Sequence, residues 1–287
     1  MAGATARLPP LTGREFGHSA QAATPGDLGL AAVVVQGFSM SATVRALFAV
    51  LLTLGSMCGR FGQARGPDYY GEYLEADQAV PEPLPPSWNV APTDSVYAFR
   101  HRRGSLRIET MRWGLIPHWA PDLKTFHINA RSETLRDKPL FRGSLTRRRC
   151  LIPADGFYEW TSRSRGHVPH WFFRSDGDPL LLAGLWGVRR HPVDGEWLVS
   201  CAIVTGPSEG PIAAVHHRMP VALPPDRWEP WLDPDLDDAT AAQNLLAGPE
   251  TGGWATHPVS RRVNKVSNND STLVRPVSYP AAPILEM

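Results

Sequence analysis

The chain of 287 residues contains few cysteines, and none stands in a pattern in which cysteine commonly does structural or redox chemistry. Cys58, Cys150 and Cys201 lie far apart, and no CxxC pair occurs. An odd and sparse set argues against a disulfide framework, and the missing CxxC pair against a zinc site or a redox dithiol. We therefore expect a cytoplasmic protein that works in a reducing compartment and uses no metal or other cofactor.

Long apolar runs, internal repeats and glycine-rich phosphate loops are also missing. The longest candidate for a membrane segment is the apolar run 46–54, which is far shorter than the roughly 20 residues that a spanning helix needs. This run resembles the core of a signal peptide, but Met57 stands directly before Cys58, where a lipoprotein site requires a small residue. We expect no association with a membrane.

Net charge is nearly absent, at +1, but the charges are unevenly distributed. Residues 100–149 contain 13 Lys/Arg and 4 Asp/Glu, whereas residues 58–99 contain 2 basic and 6 acidic residues. Such asymmetry is typical of a protein with an anionic partner. A solvated face that is balanced by the acidic segments in the fold explains it equally well, and charge alone leaves both interpretations open.

Strand patterns dominate the chain after residue 57, without the regular alternation of strands and helices that a parallel sheet requires. The segment 96–117 predicts two strands joined by a turn at 102–105, and the segment 170–188 predicts a second hairpin turning at 175–178. The segment 129–141 predicts a short helix that Pro139 ends, and helical patterns also occur at 68–76, 226–232 and 239–246. These elements favour a mainly antiparallel α+β domain.

Cys58 has unusual chemistry available if Met57 is a translation start, because an initiator methionine is commonly removed before a small residue. The mature chain would then begin with an α-amine, with a pKa of about 7.7–8.0, beside a thiol. The amine can attack an aldehyde to form a Schiff base, and the thiol can then close a five-membered thiazolidine. An internal Cys58 carries an amide nitrogen and cannot do this, and a buried core thiol is the alternative interpretation.

Three further segments contain residues suited to catalysis or to binding phosphate. Asn129 could hold a substrate by hydrogen bonds and Arg131 could pair with a phosphate, unless this segment is only a capped helix start. Glu159 stands between two aromatic residues, where a carboxylate can have a raised pKa and exchange protons near neutrality, or it occupies an exposed strand position. His216 and His217 precede an arginine and could relay protons, or one or both could be structural.

Taken together, these segments resemble the SOS response-associated peptidase (SRAP) family of abasic-site-processing proteins. The resemblance runs from residue 57 to about residue 277 and rests on the motifs MCGRF, NVAPT, RWGLIPHWA, NARSET, CLIPADGFYEW, IVT, HHRMP and VSRRVNKVSN, at positions 57–61, 89–93, 112–120, 129–134, 150–160, 203–205, 216–220 and 259–268. It implies a single, mainly antiparallel β-barrel-like domain of the α+β class with peripheral helices. We expect this domain at 58–280, after an extension at 1–57 and before a tail at 281–287.

The resemblance also implies a function, namely covalent attachment of the N-terminal cysteine to an abasic site in single-stranded DNA through a thiazolidine, which protects the lesion. It further implies possible self-processing by peptidase chemistry and association with the nucleoid. The implied catalytic set is Cys58, Asn129, Glu159 and His216, although the doubled histidine leaves His217 as an alternative. The residues expected to contact DNA are Arg60, Arg131, Arg142, Trp113, Trp119 and Thr205, and for Trp113 a place in the core is the competing interpretation.

Other functions remain open from the sequence. A conventional cysteine peptidase or amidohydrolase would use Cys58 with His216 and need no free amine. A noncovalent single-stranded DNA-binding module would not need Cys58, and an exported lipoprotein fits its required site poorly. We expect a monomer, and the upstream segment to be a mis-set start, a cleaved propeptide or a regulatory extension. Replication-fork partners cannot be identified from the sequence.

Overall fold

The computed structural model describes residues 58–78, 80–162, 164, 166–248 and 253–279. The predicted extension at 1–57 and the predicted tail at 281–287 lie outside the described residues, and the expected domain boundaries stay predictions. Among the described residues, no helix is both long and apolar enough to cross a lipid bilayer.

Strands form most of the described structure, and the helices are short. The strands are β1 (Phe61–Gln63), β2 (Asp77–Gln78), β3 (Ser87–Val90), β4 (Ser95–Arg102), β5 (Ser105–Trp113), β6 (Asn129–Arg131), β7 (Arg149–Ala154), β8 (Gly156–Trp160), β9 (Pro169–Arg174), β10 (Leu180–Arg190), β11 (Trp197–Pro207), β12 (Arg218–Pro220) and β13 (Trp254–Pro258). The α-helices are α1 (Pro67–Tyr73), α2 (Pro139–Arg147), α3 (Gly210–Ala213), α4 (Trp228–Leu232) and α5 (Ala239–Asn244). Short 3₁₀ turns occur at Ser132–Thr134, Pro225–Arg227, Arg261–Asn264 and Ser271–Val274.

The larger sheet closes into a barrel. Its strands pair in the order β11, β10, β7, β4 and β5, and β5 then pairs in parallel with β11, where Ser200 lies opposite Arg112 and Cys201 opposite Trp113. The other pairings around this ring are antiparallel. β12 and β6 extend from β11, and β2 extends from β5. The prediction of a mainly antiparallel, barrel-like α+β domain is confirmed.

A second sheet contains Glu159, one of the predicted catalytic residues, on β8. Its strand order is β13, β9, β8, β1 and β3, and all its pairings are antiparallel. The aromatic rings of Phe61, Phe157 and Phe172 from this sheet share one apolar core with Trp113 and Ile152 of the barrel. Burial of each such side chain contributes about 1.5–3 kcal/mol, so the packing fixes β1 and β8 against the barrel.

The hairpin predicted at 102–105 is confirmed. β4 and β5 pair from Ser95 opposite Arg112 to Arg102 opposite Ser105. The two turn residues, Arg103 and Gly104, have φ values of 54° and 83°. A two-residue turn with both φ angles positive matches the twist of the strands that it joins.

The second predicted hairpin is wrong, although its turn is in the right place. β9 and β10 flank residues 175–178, but β9 pairs with β8 and β13, whereas β10 pairs with β7 and β11. The chain therefore passes from one sheet to the other at this turn. Two apolar strands beside a turn satisfy the hairpin pattern, but their partners are chosen by packing between distant segments.

Pro139 begins a helix and does not end one. Lys138 is the N-cap residue of α2 and Pro139 occupies its first turn, while the predicted helix upstream is reduced to the 3₁₀ turn Ser132–Thr134. Proline suits the first helical position because the N–H that it lacks has no partner within the helix there. A proline near the end of a helical sequence pattern, such as Pro139, can thus be the start of the next helix.

Candidate active site

Cys58 lies against the carboxylate of Glu159. The backbone N–H of Cys58 donates to Oε1 of Glu159 over 2.5 Å, and the thiol also hydrogen-bonds to this carboxylate. Both residues are buried, each with 3% of its surface exposed. The backbone of Cys58 is left-handed, with φ at 47°. One carboxylate therefore contacts both the nitrogen and the sulfur of the same residue.

Strand pairing brings these residues together across 101 positions of sequence. β1 and β8 are antiparallel with Phe61 opposite Phe157, and the backbone N–H of Tyr158 donates to the carbonyl of Arg60 over 3.0 Å. Continuing this register backward from Phe61 sets Gly59 opposite Glu159, so Cys58 is one residue beyond this pair. The packing of β8 against β9 needs glycine at Gly156, because a Cβ there would lie 2.4 Å from the ring of Trp171.

Burial sets the protonation of Glu159. Desolvation raises the pKa of its carboxyl to about 7, although hydrogen bonds from Cys58 and from the backbone of Trp160 oppose the shift. At neutral pH the group is thus divided between its acid and its carboxylate form. A carboxyl with this property can both accept and donate a proton during one reaction.

Burial also raises the pKa of the Cys58 thiol, and the neighbouring Glu159 raises it further. The charge of Arg218 acts in the opposite direction and lowers this pKa. The thiol is thus held in its protonated form, which is a poor nucleophile. Any reaction of the sulfur requires a base, and Glu159 is the base in contact with it.

Arg218 connects several parts of the site. Its Nη2 donates to the carbonyl of Thr205 over 2.6 Å, to Oγ1 of Thr205 over 3.2 Å and to Oε2 of Glu133 over 3.0 Å, and Nη1 donates to Oε1 of Glu133. The guanidinium holds the pKa of Glu133 below its usual range. The sequence interpretation did not assign Arg218 or Glu133 a catalytic role, and no local pattern indicates that they pair.

His216 is held beside Arg218 by the main chain. Its Nδ1 lies 3.2 Å from the backbone nitrogen and 3.2 Å from the carbonyl oxygen of Arg218, and burial lowers the pKa of the ring. His217 is exposed, with its ring centroid 4.4 Å from that of His216. Of the two histidines, His216 is therefore the one with a fixed orientation and a half-buried, neutral ring.

Asn129 reaches the same region through β6. It lies opposite Ile203 of β11 in a parallel pairing that also sets Arg131 opposite Thr205. Asn129 lies on β6, and His216 lies two residues before β12; both strands pair with β11, whose Thr205 accepts from Arg218. Cys58 contacts Glu159 directly, and His216 contacts Arg218, whose charge acts on the Cys58 thiol. Asn129 is placed near Arg218 only by the pairing of β6 with β11.

The six residues expected to contact DNA fall into two groups. Trp119 is 62% exposed, and Arg131 and Arg142 are also exposed. Trp113 is fully buried, its ring packs on Phe61, and its Nε1 donates to the carbonyl of Ile128. A ring in this position has no free face for a base, so the core interpretation of Trp113 replaces the DNA-contact prediction.

Thr205 and Arg60 also occupy interior positions. Thr205 is fully buried and its oxygens accept from Arg218, so it does not lie on a surface that a nucleic acid could reach. Arg60 is 9% exposed and its guanidinium is hydrogen-bonded within the protein. The sequence shows that these residues are polar, but their burial depends on long-range packing that it does not reveal.

His170 is a further titratable residue beside the site that the sequence interpretation missed. It lies directly opposite Glu159 in the β8–β9 pairing, and burial lowers the pKa of its ring. Pairing of β8 with β9 would have indicated this neighbour, but the predicted hairpin paired β9 with β10. In the described part of the chain, no three His, Cys, Asp or Glu side chains form a group that could hold a metal ion.

Known proteins resemble this chain in both sequence and fold. The family described as SOS response associated peptidase (SRAP) matches residues 57–266. Abasic site processing protein YoqW of Bacillus subtilis is 36% identical over 222 residues, which cover 76% of this chain and 99% of that protein. Abasic site processing protein YedK of Escherichia coli is 30% identical over 229 residues, covering 77% and 100%. A crystal structure of a protein from Bacteroides thetaiotaomicron has the same fold, with a TM-score of 0.69 at 22% identity, covering 77% of this chain and 100% of that one.

Proposed function

This chain belongs to the SOS response associated peptidase (SRAP) family, and we propose that it processes abasic sites in DNA. Relatives that bear this activity in their names match it over nearly their whole length. We further propose that the substrate is single-stranded DNA and that Cys58, once it is the N-terminal residue, forms a covalent thiazolidine with the open aldehyde of the abasic sugar. The contact of one carboxylate with both nitrogen and sulfur of Cys58 is the observation that carries this proposal.

The chemistry can be followed atom by atom. The free amine of Cys58 attacks the aldehyde carbon to give a carbinolamine, which loses water to form a Schiff base. The thiol sulfur then adds to the imine carbon, its proton passes to the imine nitrogen, and the five-membered ring is closed. The overall reaction joins one aldehyde, one amine and one thiol and releases one water, so no oxidant, reductant or cofactor is needed.

Glu159 is suited to move the protons of these steps. Its carboxylate form accepts a proton from the attacking amine, and its acid form donates one to the departing hydroxyl. With a pKa of about 7, both forms are available at neutral pH. A third transfer takes the thiol proton, which the thiol would otherwise retain because its pKa is raised. A positioned acid or base typically accelerates such a step by roughly 10²–10⁴.

The other residues have supporting roles. His216, with its ring fixed by the backbone of Arg218, assists opening of the sugar ring, and Asn129 orients the reacting amine. Arg131 and Arg142 bind phosphates, and Trp119 stacks on a base, since all three are exposed. The buried Arg218 lowers the pKa of the Cys58 thiol and thus favours the ionised sulfur during ring closure.

The test uses a chain that begins at Met57, which contains the whole region matched by the family, and single-stranded DNA with one abasic site. We expect a DNA–protein adduct that survives a denaturing gel and is absent with Cys58→Ala. Cys58→Ser is the matched control, because it keeps the amine, as Cys58→Ala does, and changes only the sulfur to an oxygen of similar geometry. It should yield a Schiff base that borohydride traps, but no stable adduct. Cys150 and Cys201 are fully buried and should not react.

Two rivals predict other outcomes in the same experiment. A conventional cysteine peptidase or amidohydrolase keeps its activity when the α-amine is blocked and the thiol is free. If the protein is a noncovalent binding module, Cys58→Ala binds the DNA as well as the unsubstituted protein does, and neither gives a denaturation-resistant band. Adduct formation by a protein that retains residue 57 before Cys58 would refute the role of the free amine.

A further inference from the structure

Arg60 stands two residues after Cys58 and is enclosed by the protein. Nη1 donates to Oδ1 of Asn89 over 2.8 Å and to the carbonyl of Val263 over 2.9 Å, while Nη2 lies 3.3 Å from the carbonyl of Asn264. Burial lowers the pKa of this guanidinium. All three acceptors are neutral oxygens of the protein, so this arginine serves an internal purpose.

Asn89 completes the arrangement from the opposite side. Its Nδ2 donates to the carbonyl oxygens of Val263, Lys265 and Asn268 over 3.2, 3.2 and 2.8 Å. Asn89 is itself buried and belongs to β3, which pairs with β1. The segment 263–268 is thus attached to both β1 and β3 by two side chains. We name Arg60, Asn89 and these carbonyl oxygens the Arg60 clasp.

The clasp and the reacting carboxylate hold the same short piece of main chain from two directions. The carbonyl of Arg60 accepts from the N–H of Tyr158, the residue before Glu159. The side chain of Arg60 is meanwhile anchored to segment 263–268. With one residue, Gly59, between them, a displacement of Arg60 is transmitted directly to Cys58.

We propose that Arg60 is a positioning residue, and that the Arg60 clasp holds the amine and thiol of Cys58 against Glu159. This inference rests on the proposed function. It gives a shared purpose to three motifs that are distant in sequence, since Arg60, Asn89 and Val263–Asn264 come from MCGRF, NVAPT and VSRRVNKVSN. It also replaces the phosphate contact that the sequence suggested for Arg60.

Lysine cannot reproduce this geometry. A guanidinium presents several N–H donors in a rigid plane and reaches three acceptors at once, whereas an ammonium is a single point on a flexible stem. Arg60→Lys therefore keeps the charge and loses the orientation. Because a displacement of about 1 Å can cost about a hundredfold in rate, the effect should appear in the chemical step.

The experiment separates the chemical step from binding. The chain beginning at Met57 is mixed with saturating single-stranded DNA that carries one abasic site, and the rate constant of adduct formation is measured. Affinity is measured separately with a strand whose abasic analogue lacks the aldehyde. For Arg60→Lys we expect the rate constant to fall at least about tenfold and the Kd to change by less than about twofold.

Arg227→Lys is the matched control. Nη1 of Arg227 also donates to several carbonyl oxygens, those of Leu245, Ala247 and Gly248, at the end of α5. Its replacement should lower the melting temperature and leave the rate of adduct formation unchanged. If Arg60→Lys does not fold, Asn89→Ser decides by the same comparison, since it keeps Arg60 and removes the amide donors.

The possible results are distinct. A weaker affinity with a normal rate constant at saturation would show that Arg60 binds phosphate, and unchanged rate and affinity would show that the clasp is not needed; either overturns the inference. If the unsubstituted protein forms no adduct, the proposed function fails, and the inference that rests on it is overturned with it; a normal adduct rate in the unsubstituted protein distinguishes this result from the two above.

Discussion

At the scale of single residues, the burial of Glu159 is the feature with the widest consequences. A carboxyl that titrates near 7 is poorly suited to stabilising a folded protein at neutral pH, because its charged form is disfavoured inside. Such a group is more typical of a reaction site than of a structural one. The contact with Cys58 gives the reason for placing it there.

Glu159→Gln should reveal this burial as a pH-dependent stability. The folded-state pKa of Glu159 is about 7 and the ordinary value is 4.5. The folded protein therefore binds more protons than the unfolded chain between these values, so the contribution of Glu159 to stability falls as pH rises through this window. We expect Glu159→Gln to gain stability relative to the unsubstituted protein from pH 5 to 8, by up to about 3 kcal/mol. Urea unfolding at each pH measures it, and a constant difference would contradict the expectation.

The two adjacent histidines should behave differently. We expect His216→Gln to slow adduct formation by roughly 10²–10⁴, because its fixed ring assists the opening of the sugar. His217→Gln should remain within about twofold of the unsubstituted rate, because an exposed ring without a fixed orientation is not positioned to transfer a proton. Rates at saturating DNA measure both.

A second substrate sharpens the comparison. A strand with an aldehyde that has no hydroxyl to close on needs no ring opening, so it should restore most of the rate to His216→Gln. An equal loss with both strands would show that His216 acts at another step.

At the scale of elements, the barrel depends on close contact between neighbouring strands. Gly184 of β10 lies opposite Cys150 of β7 and Ile203 of β11. A Cβ on Gly184 would be 2.7 Å from Sγ of Cys150 and 3.0 Å from Cδ1 of Ile152. Cys150 is fully buried, so neither neighbour can move into solvent.

Gly184→Ala should therefore destabilise the protein by about 1–3 kcal/mol, as overpacking of a core does. Gly187→Ala is its control in the same strand, because a Cβ there would meet Leu115 only at 3.8 Å. We expect the control to be neutral or slightly stabilising, by at most about 1 kcal/mol. Denaturant unfolding measures the free energy of unfolding of both variants. Equal losses would show that alanine destabilises β10 at either position and that the contact with Cys150 and Ile152 is not the cause.

Local elements were predictable from the sequence where neighbouring residues determine them. The β4–β5 hairpin follows from a turn with positive φ angles between two alternating strands, and the helical pattern at 226–232 corresponds to a 3₁₀ turn and α4. The partners of β9 and β10 were not predictable, because the choice between two sheets depends on packing across the whole domain. The prediction that Pro139 ends a helix was wrong for a related reason, because proline occurs at the first position of helices as well as near their ends.

The candidate site divides in the same way. Cys58, Glu159 and His216 were identified from their residue types and motifs, and their neighbours explain why each is unusual. The burial of Arg60, Trp113 and Thr205 could not be inferred, because arginine, tryptophan and threonine suit a DNA surface and an interior equally well. The partnership of Arg218 with Glu133 joins residues 85 positions apart, which only the fold brings together.

At the scale of the whole molecule, the basic stretch 100–149 is less available to a partner than its count of charges suggests. Arg100 and Arg102 both pair with Glu109, at 2.5 and 2.8 Å. Arg149 is buried and donates to the carbonyl oxygens of Trp231 and Leu145. Part of the sequence asymmetry is therefore used inside the fold, as the alternative interpretation expected.

The exposed arginines should carry the salt dependence of DNA binding. We expect Arg131→Gln and Arg142→Gln each to weaken the affinity for single-stranded DNA and to reduce the slope of log K against log salt by about 0.7. Arg102→Gln is the control, because its charge is already paired with Glu109. Titrations at several salt concentrations measure the slopes, and three identical slopes would contradict the assignment.

The left-handed backbone of Cys58 has a consequence for the bond that precedes it. A φ of 47° in a residue other than glycine represents backbone strain of about 1–3 kcal/mol. This torsion is defined by the carbonyl carbon of residue 57, so it exists only while that residue is attached. Cleavage of the bond abolishes the torsion and releases its strain. If that bond is cleaved, the strain therefore favours the form in which Cys58 is the first residue.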